Sequence, residues 1–298
     1  MAQIEQHLAK GDFQAALQLI DAELSSAPSA DRWLMAFNVR VRLEDFDGAL
    51  RALDALVKLD PDVSDGVTFL GHCANLERLH SLRRKDPTLA NERGALQAPQ
   101  PFSRAYLQAA VSHAKGDFSD AARVLKDIAG AAPKVPGTLT RTNGARVRFT
   151  DMIDSDDLTG PHLPCFQAGT VLDIPYNELA SIQFERPRSS MDAVWVPAVF
   201  QTLTGQQFET RVPSRYPGSG LHGNAAVRLG EMTLWEHEPH GYAVAFGQRD
   251  FNLAHEDGGL GLVGLLQVAR IDFDAGRRPT AEEPRPKEKK SFWSKLFG

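Results

Sequence analysis

Four aspartates fall within seven residues at "DMIDSDD": Asp151, Asp154, Asp156 and Asp157. Carboxylates this close could hold a divalent cation or divide acid and base roles. The stretch lacks the glycine and distal glutamate of a calcium loop, so it reads as a solvated turn, with a partner-facing acidic loop as the alternative. His222, His237, His240 and His255 match no common zinc spacing, and no cysteine pair assists them. His237 and His240 bracket Pro239 in what reads as an exposed turn. Cys165 follows His162 by three residues, which would supply a base for a thiolate. The segment "PHLPCF" nevertheless holds two prolines and no group to orient the imidazole. Cys73 falls in a helical pattern and reads as a small buried apolar group. "GGLGLVG" leads into a strand, not into a helix N-terminus where amides would meet a phosphate. There is no GxSxG serine, no P-loop and no dinucleotide fingerprint. The expectation is a non-enzyme with no catalytic residue, cofactor or metal.

The elements that would position these residues fall into two kinds. "KGDF" occurs at Lys10–Phe13 and again at Lys115–Phe118. Gly11, Phe13, Ala16 and Pro28 align with Gly116, Phe118, Ala121 and Pro133, while Phe46, Ala49 and Pro61 form a copy offset by 33 from the first. An aromatic after a turn, a small residue where helices approach, and a closing proline describe the second half of a tetratricopeptide-like unit. Apolar residues at Phe46, Leu50, Leu53, Leu56 and Val57 keep helical spacing. A degenerate unit is expected in Asp62–Gln100, its helix within "GVTFLGHCANLERLHSLRRKDP". Stacked units bury a face against each other and leave a concave side. Registering on the shared aromatic places Leu34, Asn38, Val41, Tyr106, Ala110 and His113 there. Several are apolar, so an amphipathic helix is the expected guest.

Beyond Lys134–Arg141 the helical period gives way to short β-branched and aromatic runs with turn signals between them. "ARVRFTDMID", "GTVLDIPY", "ASIQFE", "AVWVPAVFQTL", "QQFETRVPSRY", "GYAVAFGQRDF" and "LLQVARIDF" read as strands. The expected fold is multidomain α+β: irregular tetratricopeptide-like helical repeats over 1–136, a strand-rich mixed domain over 137–275, and a flexible basic tail over 276–298. In the tail Phe292, Trp293, Leu296 and Phe297 form an apolar stripe beside Lys289, Lys290 and Lys295. That pattern suits protein docking or a weak peripheral membrane contact. A net charge of −5 argues against a nucleic-acid partner, and Arg141, Arg146 and Arg148 read as a solvated strand face. Two cysteines, no signal-like start and no run long enough for a transmembrane segment point to the cytoplasm.

The order of "DMIDSDDLTGP", "IPYNELASIQFERPRSSMDAVWVPA", "RYPGS", "AVRLGEMTLWE", "GYAVAFGQRDF" and "ARIDF" resembles the ImpE family, also called TagJ or SciE, accessory proteins of the bacterial type VI secretion system. Pro187, Asp192, Trp195, Pro197 and Ala198 correspond to that family's "PxSxxDxxWxPA" signature. Tyr216, Pro217, Gly218 and Ser219 correspond to its "YPGS", and Arg228, Leu229, Gly230, Thr233 and Trp235 to its "RLGxxTxW". Trp195 and Trp235 read as core or interdomain packing, and Gly218 and Gly230 as relief of tight turns. Leu158 and Thr159 stand where the family's acidic stretch usually has an arginine, as does Glu231 in its later motif. The resemblance implies a non-enzymatic partner of the contractile sheath that recognises the N-terminal helix of its small subunit and modulates sheath assembly or turnover. A general helical-repeat adaptor with another cargo is the alternative. An enzyme with its site in the strand-rich half would need converging polar groups in a pocket there.

Overall fold

The computed structural model describes residues 2–89, 100–167 and 169–274. Helices come first: α1 (Ala2–Ala9), α2 (Phe13–Ser26), α3 (Ala30–Arg42), α4 (Phe46–Leu59), α5 (Ser64–Lys85), α6 (Pro101–Ala114) and α7 (Phe118–Asp127). The repeated phrase is a turn with a reason for each letter. Gly11 and Gly116 take the left-handed conformation, with φ of 67° and 78°. Asp12 and Asp117 then cap the next helix, accepting from the amides of Ala15 and Asp120. The intermediate copy reads "LEDF". Glu44 adopts φ 59° in the glycine's place, and Asp45 caps onto Gly48. In all three turns the capping residue's amide bonds back five residues, to His7, Arg40 and Ser112. Phe13 and Phe46 are buried as the second helix begins.

Helix α5 has no single apolar stripe because it is enclosed from two directions, by α4 and by a strand edge described below. Leu70, Cys73, Ala74, Leu76 and Glu77 are all buried along it.

The strands are β1 (Gly137–Arg141), β2 (Arg146–Phe149), β3 (Asp151–Asp154), β4 (His162–Gln167), β5 (Thr170–Pro175), β6 (Leu179–Phe184), β7 (Trp195–Thr202), β8 (Gln207–Pro213), β9 (Thr233–His237), β10 (Ala243–Gly247), β11 (Asp250–Ala254), β12 (Leu260–Gly264) and β13 (Val268–Phe273), with a short helix α8 (Ala225–Leu229) before β9. Eight of them form one sheet in the order β2-β1-β13-β6-β7-β8-β4-β5. Strands β12-β11-β3 form a second sheet and β10-β9 a third, and every pairing is antiparallel. The first two sheets share a core that includes Leu139, Phe149, Met152, Ile182, Phe200, Phe251 and Ile271.

The chain is therefore a helical bundle followed by a β-sheet domain. Two sequence readings are corrected in detail. "ARVRFTDMID" is two strands broken at Thr150, and "GYAVAFGQRDF" is two strands broken at Gln248 and Arg249. Strands β4 and β12 were hidden by Pro164 and by alternating glycines. Pro164 is tolerated because β4 pairs fully with β5 while its backbone ladder with β8 is confined to Phe166 and Arg211. Among the described residues no helix is long and apolar enough to cross a membrane. The tail stripe of Phe292, Trp293, Leu296 and Phe297 lies outside the described residues.

Candidate functional site

The inner face of the helices is met by the chain's own sheet domain. One apolar cluster runs straight across this seam. It joins Phe37, Val41, Leu70 and Cys73 to Phe166, Val171, Met191 and Trp195. Polar contacts follow the same line. Trp195 Nε1 donates to Glu77 Oε2 at 3.0 Å, and Asn38 Nδ2 to Ser190 Oγ at 3.4 Å. Glu44 accepts from the Gly220 amide at 3.1 Å, which gives that residue a use that glycine in the same turn could not serve. Arg228 Nε reaches the carbonyl of Gly11 at 2.9 Å, and Arg215 donates to the carbonyls of Arg42 and Arg228. Arg83 ties α5 to the β5 edge through Val171 O and Asp173.

At the far end of the seam α6 packs directly on the sheet domain, beside a cavity of about 820 Å³ lined by Tyr106, Lys126, Val135, Asp157, Pro161 and Tyr242. His162 Nε2 bonds Ser103 Oγ at 2.8 Å, and its ring stands edge-on to Tyr106. His113 Nδ1 bonds the Tyr242 hydroxyl at 2.8 Å. Gly160 is left-handed, at φ 58°, and a Cβ there would lie 2.2 Å from the Tyr106 ring, so only glycine admits this approach. Leu158 is buried in the same place with Ala109, Ala121 and Val124. An arginine at that position would have to enter an apolar cluster.

The near end leaves an opening. A cleft of about 170 Å³ lies between α3, α5 and the Ser189–Asp192 turn, lined by Leu34, Asn38, Phe69, Met191, Trp195 and Arg211. The turn is locked by Asp192, whose carboxylate accepts from the amides of Arg188 and Ser189 while its own amide donates to Ser189 Oγ. Arg211 lies 5.4 Å over the Phe69 ring. Burial lowers its pKa, with Asp192 opposing. The cleft thus has an apolar floor with one acidic and one basic group on its rim.

The aspartate stretch corrects the expectation of a solvated turn: Asp154 and Asp156 are 1% and 0% exposed. Asp154 accepts from Arg249 Nη1 at 2.5 Å, from the Tyr216 hydroxyl at 2.7 Å and from the Asp156 amide. The Arg249 guanidinium also stacks over the Tyr216 ring at 4.6 Å. Asp156 accepts from Arg84 across the seam at 2.8 Å, and from the amides of Ala245, Leu158 and Thr159. Burial raises the Asp154 carboxyl to about 6 despite Arg249. Burial also works against ionised Asp156, but Arg84 and the Ala245 amide outweigh it and hold that carboxyl below its usual range. These groups are spent on structure, with donors filling the oxygens that chemistry would need. Cys165 is fully buried, and burial pushes its thiol up to about 12, so no thiolate forms near neutral pH. Both ring nitrogens of His162 are already engaged, with Thr159 O and Ser103.

The six residues assigned to a concave face divide accordingly. Leu34 and Asn38 line the open cleft. Val41 is in the core at 1% exposure. Tyr106, Ala110 and His113 face the sheet domain of the same chain. Of the motif residues, Asp192 and Trp195 build the cleft, and Pro197 is buried in β7. Tyr216 holds Asp154, and Arg228 holds Gly11. Gly218 and Gly230 are left-handed, at φ 87° and 72°. Trp235 donates to Ser155 O at 3.2 Å. Sequence reasoning missed Glu77, Arg84 and Arg249, whose only local signal is an ionisable group inside an otherwise apolar pattern. Among the described residues no group of His, Cys, Asp and Glu is arranged to hold a metal.

Residues 146–271 match the family model described as ImpE protein. The type VI secretion system accessory component TagJ of Pseudomonas aeruginosa is 29% identical over 276 residues, covering 91% of this chain and 90% of that protein. The crystal structure of protein VPA1032 from Vibrio parahaemolyticus superposes with a TM-score of 0.78 at 19% identity, over 91% of this chain and 97% of that one. That likeness speaks for the fold alone.

Proposed function

We propose, from the premise that this chain belongs to the ImpE/TagJ-like family of type VI secretion accessory proteins, that it works without catalysis, by docking an amphipathic helix. The partner is the N-terminal helix of the small subunit of the contractile sheath, and the docking modulates sheath assembly or turnover in the cytoplasm. The cleft at Leu34 and Trp195 carries this reading. It lies where the helical bundle meets the family-matched region, and its apolar volume suits one large side chain of a guest helix. Asp192 and Arg211 on its rim would set orientation more than affinity. The common geometry of the three turns at Gly11, Glu44 and Gly116 supports a tetratricopeptide-like reading of the helices that frame it.

Calorimetric titration with a peptide of that sheath helix tests the proposal. Saturable binding is expected, with a loss of about tenfold or more in Leu34→Asp, since a buried carboxylate replaces an apolar contact. Tyr106→Ala should leave the affinity unchanged, because Tyr106 lies at the other end of the seam, against Gly160 and His162. Binding that ignores Leu34→Asp would move the interface elsewhere. No binding to peptide or intact subunit would remove the sheath partner and leave an adaptor for another protein.

A further inference from the structure

Where α5, α6, the aspartate loop and the β10–β11 link converge there is a cavity of about 60 Å³. Its polar wall comes from one face of α5: His80, Arg83 and Arg84, spaced three and four apart. Arg249 closes the opposite side. Each arginine has its own carboxylate, Arg83 with Asp173, Arg84 with Asp156 and Arg249 with Asp154. Two polar atoms on this wall are left over. Arg84 Nη2 and His80 Nε2 are buried and have no hydrogen-bond partner. A guanidinium nitrogen is a donor only, and leaving it unmet in the interior costs free energy.

Something with acceptor oxygens fits there. The cavity is several times the minimum of about 10–15 Å³ that admits one water. Burial first, then Arg249, Arg83 and Arg84, drive the His80 imidazole down to about 3 against Asp173, so the ring is neutral near pH 7. Burial, the larger part of that shift, disfavours any charge, but the arginine part would also favour an anion. Access is available, because the Arg83 and Arg84 side chains retain 9% and 19% of their surface.

We propose that this cavity binds a small tetrahedral oxyanion between Arg84 Nη2 and His80 Nε2, and that the bound anion clamps α5 to the sheet domain. A tetrahedral anion can meet both donors at once, with His80 in its Nε2-protonated form, and its remaining oxygens face Arg83 and Arg249. The clamp lies on the seam but apart from the Leu34 cleft, so it stands or falls independently of the sheath partner.

Inorganic phosphate titrated into the full-length protein, with sodium chloride at matched ionic strength as control, is the test. Saturable heat and a rise in the thermal midpoint are expected with phosphate and not with chloride. His80→Leu removes one donor without breaking an existing hydrogen bond. Arg84→Lys keeps a cation beside Asp156 but loses the second guanidinium nitrogen. Each should weaken phosphate by about tenfold, the order expected for one charge-assisted hydrogen bond. Absence of heat and of any shift beyond chloride in the unaltered protein would mean the cavity holds water only and overturns the proposal. So would equal phosphate affinity in both variants.

Discussion

The two ends of the seam were assigned to one concave surface, yet they behave oppositely. At α6 the sheet domain packs on the helix itself: Tyr106 presses on Gly160, His113 bonds Tyr242, and Leu158 completes the apolar cluster, with a cavity of about 820 Å³ alongside. At α3 the Ser189–Asp192 turn approaches without closing, and leaves Leu34, Phe69 and Trp195 around a cleft. A helical-repeat face read in isolation looks available along its whole length. In a chain that carries a second domain, that domain can be the guest. Only the remainder is open to a partner.

The comparison can be broken hardest at the network that anchors the aspartate loop at the α6 end. Arg249→Leu leaves Asp154 buried without its charge partner, and should cost about 3–5 kcal/mol in a denaturant titration. A loss below about 1 kcal/mol would show that Asp154 is neutral in the folded protein and that the pair matters little. Next comes Gly160→Val, which forces a β-branched side chain into a left-handed position against Tyr106. Strain and overpacking together should cost about 2–4 kcal/mol. Combining it with Tyr106→Ala should recover part of that loss, as a double-mutant cycle would report.

At the open end, burial raises the Glu77 carboxyl to about 7, with Arg215 opposing and Glu44 adding to the rise. The folded protein therefore holds a proton that the unfolded chain releases near 4.5. Between those values stability falls as pH rises, and above about 7 the loss is complete. Glu77→Gln keeps an acceptor for Trp195 and removes the charge. It should be about 1–3 kcal/mol more stable than the parent at pH 8 and near equal at pH 5. A variant less stable at both pH values would contradict the assignment. The smallest effect belongs to the turns shared by both ends. Asp45→Ala and Asp117→Ala each remove one N-cap and should cost about 1 kcal/mol. Unequal losses would show that the copies are not energetically equivalent.

What the sequence disclosed follows from how local each cause is. The turn at Gly11, Asp12 and Phe13 was legible because its left-handed residue, cap and buried aromatic are consecutive. The change from helix to strand near Gly137 was legible because periodicity is local too. Strand β4 was not, since Pro164 argues against a strand unless its neighbours are known. The aspartates were misread for the same reason. Their partners Arg84 and Arg249 lie 72 and 95 residues away, and no spacing rule spans such distances. Leu34 and Asn38 were placed on the inner face by register, but only the second domain decides which inner-face positions stay uncovered. The motif residues Asp192 and Trp195 came from resemblance alone, and the structure supplies their task as turn lock and cleft floor.

The central claim is that a guest helix docks at the Leu34 cleft and leaves the contact between α6 and the sheet domain intact. Amide hydrogen exchange, with and without the sheath-helix peptide, measures this most directly. The account predicts slowed exchange in α3, in α5 around Phe69 and in residues 189–195, with α6 unchanged. Protection of α6 together with faster exchange in residues 157–163 would contradict it, because the peptide would then be displacing the sheet domain from the helix it packs on.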